Sequence, residues 1–265
     1  IELARSWFKA AFEKHNYKGS YNYCYCTKSS HFSYVMEEVL KHNTHLETSS
    51  SFDMNIIEAL FTKGAITKEH FILCNGFKNE KYIQKISDLI NAGFKNTITI
   101  IDNKEELKKV YEKVQQPFQI GVRIAAEEEP KFPFYTSRLG IGYRDIVKFY
   151  HEQIESNPHY ELQMLQFCIN TGSTDSAYYW NELTKCLRVF CELKKVCPSL
   201  TSLDIGGGFP VKNSLAFEFD YSYMIDEIVN QIKATCDEYE VDTPDIFTEF
   251  GSFTVGESGG MIYEI

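Results

Sequence analysis

Short apolar runs alternate with longer amphipathic ones along almost the whole chain. Runs of four to eight residues rich in β-branched and aromatic side chains read as strands. They predict strands at 22–27 (NYCYCT), 45–48 (HLET), 70–74 (HFILC), 96–101 (NTITII), 118–124 (FQIGVRI), 162–169 (LQMLQFCI), 199–205 (SLTSLDI) and 244–249 (PDIFTE). Apolar positions three and four apart predict helices between them. These are SYVMEEVLKH, DMNIIEALFTK, EKYIQKISDLINAG, NKEELKKVYEKV, YRDIVKFYHEQIE, SAYYWNELTKCLRVFCELKK and YSYMIDEIVNQIKATCDEY. The capping signals agree. Asp53 is expected to open one helix, Asn103 opens another with acidic residues behind it, and Gly93 stands where a third should stop. Strand and helix alternating in this way imply a parallel sheet. Eight such units predict an α/β fold, a closed (β/α)8 barrel over 1–265, with residues 1–16 as a leading helix. A doubly wound sheet is the alternative. The irregular stretch 125–143 is too long for an ordinary connection and is expected to lie over the barrel mouth.

Composition narrows the class. A net charge of -10 argues against nucleic acid as a partner. No apolar run approaches the length of a membrane span. The eight cysteines form no CxxC pair and no zinc spacing, so no metal site is expected. They read as reduced, buried thiols, which suggests the cytoplasm. The chain starts without Met in an amphipathic helix and stops as if entering a strand, so it is expected to be part of a longer protein.

In a (β/α)8 barrel the chemistry collects where the strands end. Reading along those ends gives Lys28, Glu47, Asn75, Asp102, Arg123, then Cys168, Asn170, Thr171 and Ser173, then Asp204 with Gly206, Gly207 and Gly208, and last Glu249, Gly251 and Ser252. Three successive glycines have two readings, a tight turn or a cradle of N–H groups for a phosphate. A lysine, carboxylates and a phosphate cradle in one mouth suit pyridoxal phosphate. That cofactor needs an amine to attach to, a phosphate site and a carboxylate facing its ring nitrogen. Asp204 is read as bracing the turn, and the acidic run Glu127–Glu129 as a solvated loop.

The same segments resemble the alanine-racemase-like, fold type III pyridoxal-phosphate decarboxylases, and among them the biosynthetic arginine decarboxylases. Tyr25-Cys26-Thr27-Lys28 is similar to the Y-x-x-K strand of that group, LETSSSFDM (46–54) to its LEAGSK-type segment, and ILCNGFKNEKYI (72–83) to its third unit. SRLGI (137–141) resembles the stretch before its fifth helix, LDIGGGFP (203–210) its phosphate motif and FTEFGS (247–252) its E-x-G-R segment. The motifs keep their order across almost the whole chain.

The resemblance implies that Lys28 forms the Schiff base and that Glu249 pairs with the pyridinium nitrogen. It implies further that Gly206, Gly207 and Gly208 hold the phosphate and that Glu47 and Arg123 lie near the ring. Cofactor contacts are also expected from Cys168, Thr171, Gly251 and Ser252. Three positions depart from the group. Cys168 stands in place of a ring-stacking histidine, Ser252 in place of a phosphate-binding arginine, and Ser30 in place of an asparagine. The implied activity is decarboxylation of a basic amino acid, foremost arginine to agmatine in polyamine synthesis. Ornithine, diaminopimelate or carboxynorspermidine are alternative substrates, and a degenerate cofactor-binding homologue is the alternative function. The group also implies a C-terminal β-domain outside this chain and assembly as a homodimer or larger homo-oligomer.

Overall fold

A computed structural model describes residues 1–126, 139–169, 176–212 and 216–259. The chain opens with helix α1 (Glu2–His15) and strand β1 (Tyr21–Cys26), followed by a 3-10 turn at Thr27–Ser29. Then come α2 (Ser33–Leu40), β2 (His45–Thr48), α3 (Ser51–Thr62), β3 (Ile72–Cys74), α4 (Glu80–Asn91), β4 (Thr97–Ile101), α5 (Lys104–Tyr111) and β5 (Phe118–Ala125). The second half holds β6 (Ile141–Gly142), α6 (Ile146–Phe149) running into a π turn at Tyr150–Ile154, β7 (Tyr160–Gln166), α7 (Ser176–Val196), β8 (Ser202–Asp204), α8 (Tyr221–Tyr239), β9 (Asp245–Phe250) and α9 (Ser252–Val255).

All strand pairs are parallel. β1 pairs with β2 on one side and β9 on the other, and β4 joins β5, so eight strands close on themselves. That closure excludes the doubly wound alternative. β6 is a two-residue addition beside the end of β5, inside the stretch read as one long loop. It was invisible in the sequence because two residues carry no periodicity.

The strand side chains divide the lumen into two storeys. Cys24, Leu73, Ile98, Ile100, Met164 and Phe247 pack together as a dry lower layer. Successive inward positions are two residues apart. The next inward positions on these strands are therefore Cys26, Asn75, Asp102, Gln166 and Glu249, and they form a polar upper layer. Outside, the apolar faces of the helices complete a core that includes Phe8, Ile57, Ile86, Phe149, Leu187 and Ile228. α1 packs against α8, tied by Lys14 and His15 to Asp226.

One cap differs from expectation. Helix α3 starts earlier than Asp53, with Ser50 as its N-cap accepting from the Asp53 N–H. Asp53 instead accepts from the Ser49 N–H and the Ser50 hydroxyl, so the two ends of the first turn brace each other. Asn103 caps α5, and Gly93, at φ 93°, follows α4, both as expected.

Candidate active site

The 3-10 turn after β1 presents Lys28 at the mouth. Its neighbour Thr27 is buried and donates to the Glu47 carbonyl, which locks the turn against β2. Lys28 Nζ lies 3.1 Å from both carboxylate oxygens of Glu47 and 3.2 Å from Ser49 Oγ. Ser49 in turn donates to Glu47 at 2.7 Å. Glu47 is fully buried, whereas the lysine head reaches into the mouth. Burial, the largest single influence, disfavours the ammonium, but the surrounding negative groups, Glu47 foremost and Glu249 among them, together with the hydrogen bond to Glu47, outweigh it and push Lys28 above the usual lysine range.

From Glu47 a chain of hydrogen bonds crosses the lumen. Asn75 Nδ2 donates to Glu47 Oε1 at 3.1 Å and to Glu249 Oε1. Gln166 Nε2 donates to Glu249 Oε1 at 2.7 Å, to Asn75 Oδ1 at 2.9 Å and to Asp204 Oδ2 at 3.4 Å. Asp204 Oδ1 accepts the Gly206 N–H at 2.8 Å. Burial, then repulsion from Glu47, raises the Glu249 carboxyl above its ordinary range. Burial, then Glu249, holds Asp204 well above its own.

A second charged group lies alongside. Arg123 Nε is 4.0 Å from Asp102 Oδ1. The fully buried Lys78 ammonium is 3.7 Å from Asp102 and 3.4 Å from Glu106. Glu106 also accepts the backbone N–H groups of Lys78 and Asp102, tying the ends of β3 and β4 to α5.

Above this floor lies a cavity of 480 Å³, walled by Lys28, Arg123, Cys168, Gly207, Gly208, Glu249, Gly251 and Ser252 among others. The sequence-predicted residues thus converge, with three qualifications. Glu47 sits behind Lys28 rather than on the wall. Gly206 also stands off the wall, at φ 68°, its N–H spent on Asp204. It therefore shapes the turn instead of joining the cradle, and Asp204 braces that turn as read from the sequence. Thr171, with Asn170 and Ser173, lies outside the described residues. Cys168 borders the cavity as a thiol pushed up to about 11 by burial. All eight cysteines are free.

The residues present fit pyridoxal phosphate. Among the described residues the N–H groups of Gly207 and Gly208 have no partner within the protein. A Cβ on Gly207 would come within 2.6 Å of the Glu249 carbonyl, and one on Gly251 within 2.0 Å of Ser29 Oγ. The first clash is with backbone, so Gly207 accepts only glycine, and any side chain at Gly251 would have to displace Ser29; together they leave room for an anion against the backbone. Lys28 and Glu249 face the same space from the end of β1 and the adjacent strand β9.

The family of pyridoxal-dependent decarboxylases, by its pyridoxal binding domain, matches residues 4–256. The chain belongs to that family. Pyridoxal phosphate is its cofactor. The chain is similar to the biosynthetic arginine decarboxylase of Prochlorococcus marinus (strain MIT 9215), at 25% identity over 285 aligned positions, spanning all of this chain and 43% of that protein. It is also similar to arginine decarboxylase 2 of Arabidopsis thaliana, at 25% identity, again over all of this chain and 40% of the relative. The chain therefore spans less than half the length of these curated relatives. Among solved structures, the biosynthetic arginine decarboxylase of Campylobacter jejuni superposes with a TM-score of 0.78 at 21% identity, covering 95% of this chain and 42% of that one. The lysine decarboxylase of Selenomonas ruminantium gives 0.74 at 18%, covering 95% and 60%. At these identities both show the fold.

Asn75 was noted in the sequence only as a strand end, and Gln166 was passed over. The signal for Gln166 was the alternation itself. Once Met164 faces the lumen, Gln166 must face it too, one storey higher.

Proposed function

We propose that this chain is the cofactor-binding barrel of a decarboxylase acting on a basic amino acid, with arginine as substrate and agmatine as product. The observation that carries the reading is the convergence of Lys28, Glu249 and the open Gly207–Gly208 cradle on one cavity. In this reading Lys28 is the residue to which the cofactor attaches. Glu249 faces the ring nitrogen, and Gly207, Gly208, Gly251 and Ser252 hold the phosphate. Cys168 and Arg123 border the ring, and Thr171 adds a contact from the segment after β7. When bound, pyridoxal phosphate supplies the electron sink that carbon–carboxylate cleavage needs.

The rest is done by the protein. Lys28 must shed a proton before it can act as a nucleophile, and Glu47, 3.1 Å away, is placed to hold that proton. Asn75 and Gln166 fix Glu249 so that its carboxyl cannot turn away from the cavity. The apolar lower storey closes the lumen beneath, so water reaches the site only from the mouth. Arginine is favoured over lysine, ornithine or diaminopimelate by the similarity to arginine decarboxylases across the whole chain. The homodimer, the cytoplasmic location and a role in polyamine synthesis belong to the same proposal.

The test is borohydride reduction of the full-length protein loaded with pyridoxal phosphate, followed by peptide mapping. The adduct is expected on the Lys28 peptide, and Lys28→Ala is expected to abolish both the adduct and arginine decarboxylation. An adduct elsewhere, or normal turnover in Lys28→Ala, overturns the reading. An adduct on Lys28 without turnover on any basic amino acid would favour a cofactor-binding homologue. Cys168 and Ser252 are the positions that motivate that second reading.

A further inference from the structure

Each cation of the described barrel mouth has a carboxylate of its own. Lys28 holds Glu47 at 3.1 Å. Lys78 and Arg123 face Asp102 and Glu106, two cations against two anions. Asp204 and Glu249 remain. Both are buried, and both are bound only by neutral donors. Glu249 takes the Asn75 and Gln166 amides, and Asp204 takes Gln166 and the Gly206 N–H. One nitrogen, Gln166 Nε2, reaches an oxygen of each at 2.7 and 3.4 Å, so the two carboxyls sit side by side. Two charged groups act on Glu249 from beside the pair: Glu47, joined to it through Asn75, repels it, and Lys28 attracts it but is held by Glu47. The remaining ionisable groups facing the pair are the thiols of Cys24, Cys26, Cys168 and Cys186, all pushed up by burial and therefore neutral. Two adjacent buried carboxylates with no cation paired to either are not tenable. Such pairs take up one proton.

We propose that Asp204 is a positioning residue that carries the proton of a carboxyl–carboxylate pair with Glu249, leaving the charge on Glu249 for the cofactor ring. The assignment of the proton follows from placement. Asp204 is wholly enclosed and off the cavity, while Glu249 lines it and accepts two amide N–H bonds that favour the anion. The proton also removes one of two buried charges from the floor. In this arrangement burial raises Asp204, and the protonated Asp204 keeps Glu249 usable as an anion. The inference rests on the proposed role of Glu249 facing the ring.

The test compares wild type with Asp204→Asn, a neutral isostere that can still accept from Gly206 and donate to Glu249. Infrared difference spectra of the cofactor-free full-length protein at pH 7 are expected to show a carboxylic-acid carbonyl band that Asp204→Asn removes. Asp204→Asn is also expected to keep its melting temperature and to bind pyridoxal phosphate within about threefold of wild type, a factor below 1 kcal/mol. A merely structural aspartate would leave the infrared band unmoved. Absence of an Asp204-dependent acid band overturns the proposal, as does a tenfold loss of cofactor affinity in a folded Asp204→Asn. Should that variant not fold, carbon-13 NMR of wild-type protein labelled at aspartate carboxyls decides. One resonance at the protonated position at pH 7 supports the proposal, and a fully ionised set overturns it. The band is read without cofactor and the Lys28 adduct with it, so failure of one is not failure of the other.

Discussion

At the scale of single residues the proposed chemistry rests on Lys28 and Glu47. The lysine is useful only as a free amine, yet its partner holds it as an ammonium above the ordinary range. Removing the Glu47 charge should therefore lower the pH at which the amine becomes available. Glu47→Gln keeps the shape and the contact with Asn75. Its midpoint for adduct formation with pyridoxal phosphate, followed by absorbance across pH, is expected to fall by at least one unit, with faster adduct formation at pH 7. An unchanged or higher midpoint would show that Glu47 does not control Lys28. The two ends of this pair were legible in the sequence because each sits at the end of a strand-like run. The bridge between Glu47 and Glu249 was not. Asn75 and Gln166 are amides without a motif, and their roles depend on strands brought together across the barrel.

At the scale of elements, the two-storey lumen depends on strand register, and one glycine guards it. A Cβ on Gly121 in β5 would lie 2.4 Å from Ile100 Cδ1 and 3.4 Å from Met164 Cβ. The gap lets Ile100 fill the lower layer and leaves Arg123, two residues on, at the level of Asp102. Gly121→Ala should cost about 1–3 kcal/mol of stability through overpacking. Urea denaturation measures this directly, and an unchanged midpoint would mean that Ile100 has room to turn aside. The strand positions themselves were readable, since β2 falls on the expected 45–48 and the other seven overlap their expected ranges. The ends moved where tertiary pairing decided them. β7 starts at Tyr160, earlier than its apolar run, because Tyr160 and Glu161 pair with Phe118 and Gln119 of β5. The stretch 143–155 reads as one helix but carries a π turn at Tyr150–Ile154, which a 3.6-residue period cannot foretell.

For the whole molecule, closure of the barrel was legible from eight alternating units, whereas its sensitivity to acid was not, because it arises where two strand starts meet at the far end from the cavity. His45 opens β2, and its Nδ1 accepts the Phe71 N–H at 3.2 Å. The ring packs edge-on against Phe71 and lies 6.0 Å from His70. Burial, then the neighbouring His70, lowers His45 to about 4. Protonation of the accepting nitrogen would break the bond to Phe71 and place a charge among apolar rings. The sign follows from linkage. The unfolded histidine titrates near 6.5, so above that pH both states are neutral and the full stability is present. Between about 6.5 and about 4 the unfolded chain binds a proton that the folded one refuses, and stability falls as pH drops. This residue alone contributes a slope of up to about 1.4 kcal/mol per pH unit within that window. His45→Asn keeps an acceptor for Phe71 and cannot titrate. Its urea midpoint is therefore expected to fall less steeply than that of wild type from pH 6.5 to 4, and to run parallel to it above pH 7. Parallel curves throughout would place the acid sensitivity in the carboxylates of the mouth instead.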